Sequence, residues 1–252
     1  MKLFRKLKKQ TEYSQHFTLV GNNEIDNAII AASDDVDKSL KLDIGAGQDC
    51  DGVYTTLDCD SSISPDLVVD IRSIFAPSDY YRERKALYPD IDDIRYGKYK
   101  VVRMKHTLEH IEWLYYPSLF EWLSSLLCDN GIIIIDTPNL EYISLMYLGN
   151  LDKQRRGEKV GFPAQEHPNL SNSELFDMQR WVNFKLFSGC SPGDYHFGCL
   201  DEPSIANFLY NSGFKSILIF NGKSLRVVAY KDTSTGIPAL LDLIKKDMKD
   251  SQ

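Results

Sequence analysis

Several things are scarce in this 252-residue sequence. No apolar run approaches the roughly 20 residues that a membrane-spanning helix needs. Cysteine occurs five times, at 50, 59, 128, 190 and 199, without a C-x-x-C pair. An odd set spaced in that way indicates neither a disulfide framework nor a zinc ribbon. Positive charge is in deficit, with a net charge of -7. Broad nucleic-acid binding needs a basic face, so that class of partner is not expected. The chain is therefore read as a reduced, cytoplasmic protein with no resident metal. Its hydrophobic fraction of 43% and charged fraction of 26% are ordinary for a globular protein.

What is present centres on Leu40-Lys41-Leu42-Asp43-Ile44-Gly45-Ala46-Gly47. Leu40, Leu42 and Ile44 alternate with Lys41 and Asp43, the pattern of a short strand. Gly45 and Gly47 follow directly, and glycine permits positive φ and close approach of a ligand to the backbone. Further strands are predicted at 52–58, 65–70, 99–104 and 131–136. The isoleucines 132–135 suit a central strand covered on both faces. Asp58 and Asp70 end the second and third strands, and Lys105-His106 follows the fourth. In an open parallel sheet the ligand crevice lies outside the carboxyl ends of the strands. Asp43, Asp58, Asp70 and Lys105-His106 are thus expected around one site. The gap from Gly47 to Gly52 is too short for a full crossover helix, so a compact turn is expected there.

Pro117 opens a predicted helix with an apolar face made by Leu119, Phe120, Trp122, Leu123, Leu126 and Leu127, stopped by Asn130-Gly131. Residues 138–198 are too many for a bare loop and are read as a helical lid insertion. Within it, Ser171-Asn172-Ser173-Glu174 fits a capping box for a helix reaching about Phe187. Arg155, Arg156 and Arg180 could there meet an anionic or sugar-phosphate substrate, or be solvated charge over a packed lid. Asp201-Glu202-Pro203 starts a helix ending at Gly213, and 215–220 with 224–230 reads as a hairpin turning at Asn221-Gly222. Residues 1–39 form a helical lead-in. Its basic start, with Lys2, Arg5, Lys6, Lys8 and Lys9 around Leu3, Phe4 and Leu7, is a solvated helix or a peripheral membrane contact. No apolar core of a secretory signal follows it. Residues 236–252 form a C-terminal amphipathic helix, and 40–235 the main domain.

The run from Leu40 to Asp70 resembles motifs I to III of class I S-adenosylmethionine-dependent methyltransferases, most of all a compact bacterial subgroup. Lys105-His106-Thr107-Leu108-Glu109-His110-Ile111 is similar to that group's Ser-His-x-Leu-Glu-His-Ile segment. Asp136-Thr137-Pro138-Asn139 resembles its fifth strand end, and His196-Phe197-Gly198 with Ser212-Gly213-Phe214 its closing signature. The resemblance implies an α/β fold: a doubly wound, mostly parallel, seven-stranded sheet with an antiparallel last strand. It implies S-adenosyl-L-methionine as cofactor, held by Asp43, Gly45, Ala46, Gly47, Asp58, Cys59, Asp70, Ile71, Lys105 and His106. Asp58 would accept both ribose hydroxyls, and Asp70 the adenine amino group beside the Ile71 amide. Asp43 and the Lys105 carbonyl would face the ammonium. Gln48 and Asp49 depart from the family's third glycine, and Asp60 is a second candidate for the ribose. The implied activity is methyl transfer to an oxygen or nitrogen of a small molecule or glycan.

His106, His110 and His196 are the candidate catalytic bases, since imidazole can take a proton from an acceptor hydroxyl or amine. Three other readings stand beside this one. His106-Thr107-Leu108-Glu109-His110 also fits the inverted zinc-peptidase motif H-x-x-E-H, which needs both histidines on one helix face. A non-catalytic methyltransferase-like subunit would keep the fold and serve binding or regulation. A nicotinamide oxidoreductase would want G-x-G-x-x-G opening a helix, which Gln48-Asp49-Cys50 does not supply.

Overall fold

The alternation of side chains along the strands decides how this chain folds. Ile133 and Ile135 pack on one face of a sheet with Leu42, Ile44, Val102 and Met104. Ile134 and Val101, one residue out of step, pack on the other face with Leu218 and Val228. Side chains of a strand point alternately up and down, so an unbroken apolar run demands cover on both sides. In a computed structural model of the chain, which describes residues 17–48, 52–75, 79, 83, 85–158, 182, 186–187 and 195–231, that cover is helical.

In chain order the elements are β1 (Thr18–Leu19), α1 (Asn22–Ser33), β2 (Lys41–Ile44), β3 (Thr55–Asp58), β4 (Leu67–Val68) and the single turn α2 (Arg72–Phe75). After them come β5 (Tyr99–Lys105), α3 (Tyr116–Leu126), β6 (Leu127–Pro138), α4 (Leu140–Arg155), α5 (Glu202–Asn211), β7 (Ser216–Asn221) and β8 (Ser224–Tyr230). The sheet order is β1-β7-β8-β6-β5-β2-β3-β4. All neighbours are parallel except β8, which runs antiparallel to both β6 and β7. Ile25, Ala28 and Ala32 of α1 cover one face. Leu119, Phe120 and Leu123 of α3, with Ile205 and Leu209 of α5, cover the other.

The doubly wound, mostly parallel architecture is as expected, with an eighth strand added. The Thr18–Leu19 segment pairs in parallel with Leu218–Ile219 and extends the edge. Two residues carry too little pattern to be recognised without their partner. The second and third strands are shorter than predicted, beginning at Thr55 and Leu67. Tyr54, read as part of the second strand, is buried just before it, under the Arg103 guanidinium at 4.0 Å. The helix opened by Pro117 stops at Leu126, four residues before Asn130, because 127–138 joins the sheet through an irregular register after Tyr99↔Leu127. A helix missed in the insertion, α4, starts on Asn139, whose side chain accepts the Tyr142 N–H.

The expected basic helix at 1–10, the turn at Asp49–Asp51, the helix at 171–187 apart from three positions, Arg180 and the helix at 236–252 lie outside the described residues. Among those described, no helix is long and apolar enough to cross a membrane.

Candidate functional site

The sheet order reverses between β2 and β5, and the loops leaving their carboxyl ends part there. This is the point at which open α/β sheets bind ligands. Gly45 has φ +68° and Gly47 φ +55°, so both take the left-handed conformation that favours glycine. A Cβ on Gly45 would stand 2.3 Å from the Thr107 hydroxyl oxygen. The missing side chain therefore lets the β5 loop close onto the β2 loop. Thr107 Oγ1 lies 3.1 Å from the carbonyl oxygens of both Ile44 and Lys105 and stitches the two strand ends together.

An open crevice of about 730 Å3, counted to its mouth, begins at this seam. Leu57, Val69 and Ile71 give it an apolar wall, while Ile44, Gly45 and Thr107 form its head. Asp58, Cys59, Asp70 and Arg72 line it as well, as do His110, Ile111, Tyr195 and Phe197. Four of the five stretches that meet here follow β2, β3, β4 and β5, and the fifth, Tyr195–Phe197, is tied to the Glu109 carbonyl.

The Asp58 carboxylate is held by the backbone. Its Oδ2 accepts the Gly47 N–H at 3.0 Å, and its Oδ1 accepts the Asp60 N–H at 3.0 Å. A carboxylate has about four lone-pair sites, so each oxygen keeps one for a ligand. Asp60, the second candidate for the ribose, caps a short turn by accepting the Ser62 N–H, and hydrogen bonding from the Ser62 side chain and backbone lowers its pKa.

The other two strand-end acids have different partners. Asp43 is 3% exposed and is forked by Arg103, whose Nε and Nη2 donate to its two oxygens at 3.0 and 2.6 Å. Asp43 and Arg103 are register partners across β2 and β5, and neither lines the crevice. Asp70 is forked by Arg72, with Nε and Nη2 both at 2.9 Å. It borders the crevice, but its oxygens are engaged. Ala46 is buried in the glycine turn, and the Lys105 side chain is exposed, with its carbonyl receiving Thr107.

His106 follows β5 with φ +52°, and its N–H donates to the Asp136 carbonyl at 2.8 Å. Its Nδ1 lies 3.4 Å from Oε1 of Glu109, a carboxylate only 2% exposed on its side chain. The hydrogen bond to Glu109 raises the His106 pKa above the ordinary histidine value, against the opposing effect of burial. Glu109 Oε2 also accepts the Thr137 hydroxyl at 3.2 Å. His110 lines the crevice, and its Nδ1 lies 3.1 Å from the Tyr195 carbonyl oxygen. His196 packs edge-on against His110 with ring centroids 4.9 Å apart. The strand of chain that brings His196 here is tied down by Phe197, whose N–H donates to the Glu109 carbonyl at 2.7 Å. Gly198 makes room for Tyr116, whose hydroxyl would be 2.1 Å from any Cβ there.

The zinc-peptidase reading fails on this backbone. Leu108–His110 is a single 3-10 turn and His106 stands outside it in the left-handed region, so His106 and His110 share no helix face. Thr107, Arg72, Tyr195 and Phe197 line the crevice without having been singled out from sequence. Thr107 and Phe197 stand within the motifs quoted from the sequence; Tyr195 lies just before the second of them, and no local pattern announces it.

No protein-family model matches this sequence, and no curated protein matches it. Solved structures do share its course. The citrinin polyketide synthase CMeT domain is 12% identical, with 76% of this chain covering 46% of that one at a TM-score of 0.39. The CurJ carbon methyltransferase is 13% identical, with 92% of this chain covering 58% of that one at 0.44. The magnesium protoporphyrin IX methyltransferase ChlM of Synechocystis PCC 6803, with bound SAH, is 15% identical, with 83% of each chain covered at 0.42. The chain thus spans about half the length of the first two. At such scores and identities these likenesses carry no weight of their own, and the site stands on its geometry.

Proposed function

We propose that this chain is an S-adenosylmethionine-dependent methyltransferase acting on an oxygen or nitrogen of a small molecule or glycan. The observation that carries the reading is Asp58. It is a strand-end carboxylate at the switch point of the sheet, oriented by two backbone N–H groups and open to a ligand on both oxygens. That is the acceptor pair a ribose diol requires. Leu57, Val69 and Ile71 supply a flat apolar slot of the kind a purine fills, and Gly45 allows the backbone to approach the amino-acid end of the cofactor. The residues therefore fit the cofactor at its ribose and base. Asp43, expected at the ammonium, is turned to Arg103, so in this reading that end is met by backbone carbonyls at the Gly45–Thr107 seam.

When bound, S-adenosylmethionine supplies an electrophilic sulfonium methyl group. The chain's own part is to align an acceptor with it and to exclude water, which accounts for much of the rate in an in-line displacement. His110, with Tyr195 and Phe197, forms the crevice wall available to an acceptor, and His106 is set back against Glu109. A proton released from an acceptor hydroxyl or amine has imidazole acceptors within this wall. Calorimetric titration with S-adenosylhomocysteine and with NAD tests the reading: heat is expected with the first and none with the second. Asp58→Ala should weaken S-adenosylhomocysteine binding about 10- to 100-fold, the worth of hydrogen bonds to a charged group. An unchanged affinity would remove Asp58 from the site.

Asp43 and Asp70 both being bound by arginines favours a second reading, a methyltransferase-like subunit that binds or regulates without catalysis. Binding of S-adenosylhomocysteine without turnover on any hydroxyl or amine acceptor would support it.

A further inference from the structure

Where His110 lines the crevice, Glu109 and His196 stand behind it, and the three groups form a set beyond what methyl transfer requires. Glu109, His110 and His196 each offer one ligand atom, and these atoms all lie within 4.8 Å of one another. We propose that they bind a divalent first-row metal ion. Its role at the acceptor side rests on the methyltransferase reading; the binding itself does not.

The supporting geometry lies in the second layer. A carbonyl oxygen only accepts hydrogen bonds, so the contact from His110 Nδ1 to the Tyr195 carbonyl places the proton on Nδ1. The lone pair of the neutral ring then sits on Nε2. Metal-binding histidines are held in this way, with the second ring nitrogen donating to a carbonyl or carboxylate. The Thr137 hydroxyl likewise orients the Glu109 carboxylate from behind, as ligating carboxylates are oriented. Glu109 is buried, and a buried carboxylate that keeps its charge requires compensation. The exposed His106 ring supplies part of it across 3.4 Å; a dication would supply more.

Bonds of about 2.0–2.2 Å place ligands of one tetrahedral ion about 3.3 Å apart. The three atoms lie within 4.8 Å of one another, so binding is expected to draw them together by side-chain rotation. Two imidazoles with one carboxylate suit Zn2+, Mn2+ or Co2+ better than Mg2+ or Ca2+, which prefer all-oxygen shells. Three protein ligands leave a coordination position open, as catalytic rather than structural sites do. Because His110 is itself part of the crevice wall, that position is expected to take an acceptor oxygen and hold it opposite the cofactor slot. The set differs from the H-x-x-E-H motif, since His196 replaces His106 and lies 86 residues beyond His110.

The test uses the full chain stripped with EDTA, then dialysed against Co2+ or Mn2+. Metal is counted by mass spectrometry, and the visible d–d absorption of Co2+ is recorded. One equivalent of metal is expected, with a Co2+ spectrum of ordered low coordination. Glu109→Gln and His196→Gln should each weaken binding at least 10-fold, while Asp58→Ala leaves it unchanged. Because Glu109 is buried and its variant could misfold, His196→Gln serves as the independent check, with circular dichroism confirming the fold. Absence of stoichiometric metal in the wild type, or its retention in both ligand variants, would overturn the proposal. S-adenosylhomocysteine binding measured on the stripped protein separates the outcomes, because its loss sinks the methyltransferase reading and leaves the metal site standing.

Discussion

At the scale of single residues, the site is shaped by which acids already have partners. Asp58 takes only backbone donors and stays available, whereas Asp43 and Asp70 each engage an arginine fork. Removing one partner of a buried pair leaves an uncompensated charge, which typically costs about 3–5 kcal/mol. Arg103→Met should therefore destabilise the fold by that order, read as a lower midpoint in urea, and adding Asp43→Asn should recover part of it. Arg103 is one-fifth exposed on its side chain, which places the expectation at the lower end. A loss below about 1 kcal/mol would mean that water replaces the guanidinium. The Arg72 partner of Asp70 stands only two positions along the chain. The Arg103 partner of Asp43 was not legible in the sequence, because 60 residues separate them and only the β2–β5 register brings them together.

Among the elements, β6, α4 and the β7–β8 hairpin meet in one joint. Asn139 is fully buried there. Its Oδ1 caps α4 at Tyr142, and its Nδ2 donates to Gly222 O at 2.8 Å and to Asn221 Oδ1. Loss of a helix cap costs about 0.5–2 kcal/mol, and groups left unpaired in a buried site add about 1–3. Asn139→Ala should lower stability by roughly 2–4 kcal/mol by chemical denaturation. Hydrogen exchange should show weaker protection in α4 and at the hairpin turn than in β5. Equal loss across the sheet would show that Asn139 serves the global core rather than this joint. The β7–β8 hairpin and α5 could be read from Asn221-Gly222 and Asp201-Glu202-Pro203, because turn and cap chemistry is local. The α4 helix could not: its described face buries little besides Ile143 and Asn150, so its sequence shows no clean apolar period.

Across the whole molecule, two apolar layers on either side of an eight-stranded sheet fix the strand ends that make the crevice. A ligand that binds only this folded arrangement stabilises it by mass action, by about 2.7 kcal/mol at a hundred times its Kd. For a chain of this size that corresponds to a rise of roughly 5–10 °C in Tm. Saturating S-adenosylhomocysteine should produce such a shift, and NAD none. Asp58→Ala should abolish most of it at the same ligand concentration. A shift that survives in Asp58→Ala would place binding elsewhere on the molecule.

Sequence alone determined the sheet's main strands and the glycine turn, because apolar periodicity and positive-φ glycines are local properties with local causes; the mostly parallel arrangement came with the family resemblance. The sequence also marked Asp58 as a strand-end acid. Tertiary structure decided the rest. It added the two-residue strand at Thr18–Leu19, which exists only through its pairing with β7. It paired Asp43 with Arg103 and carried His196 against His110 and Glu109 from a distant stretch of the chain. Those outcomes depend on long-range register and on close packing between distant segments, and neither leaves a periodic trace in the residues themselves.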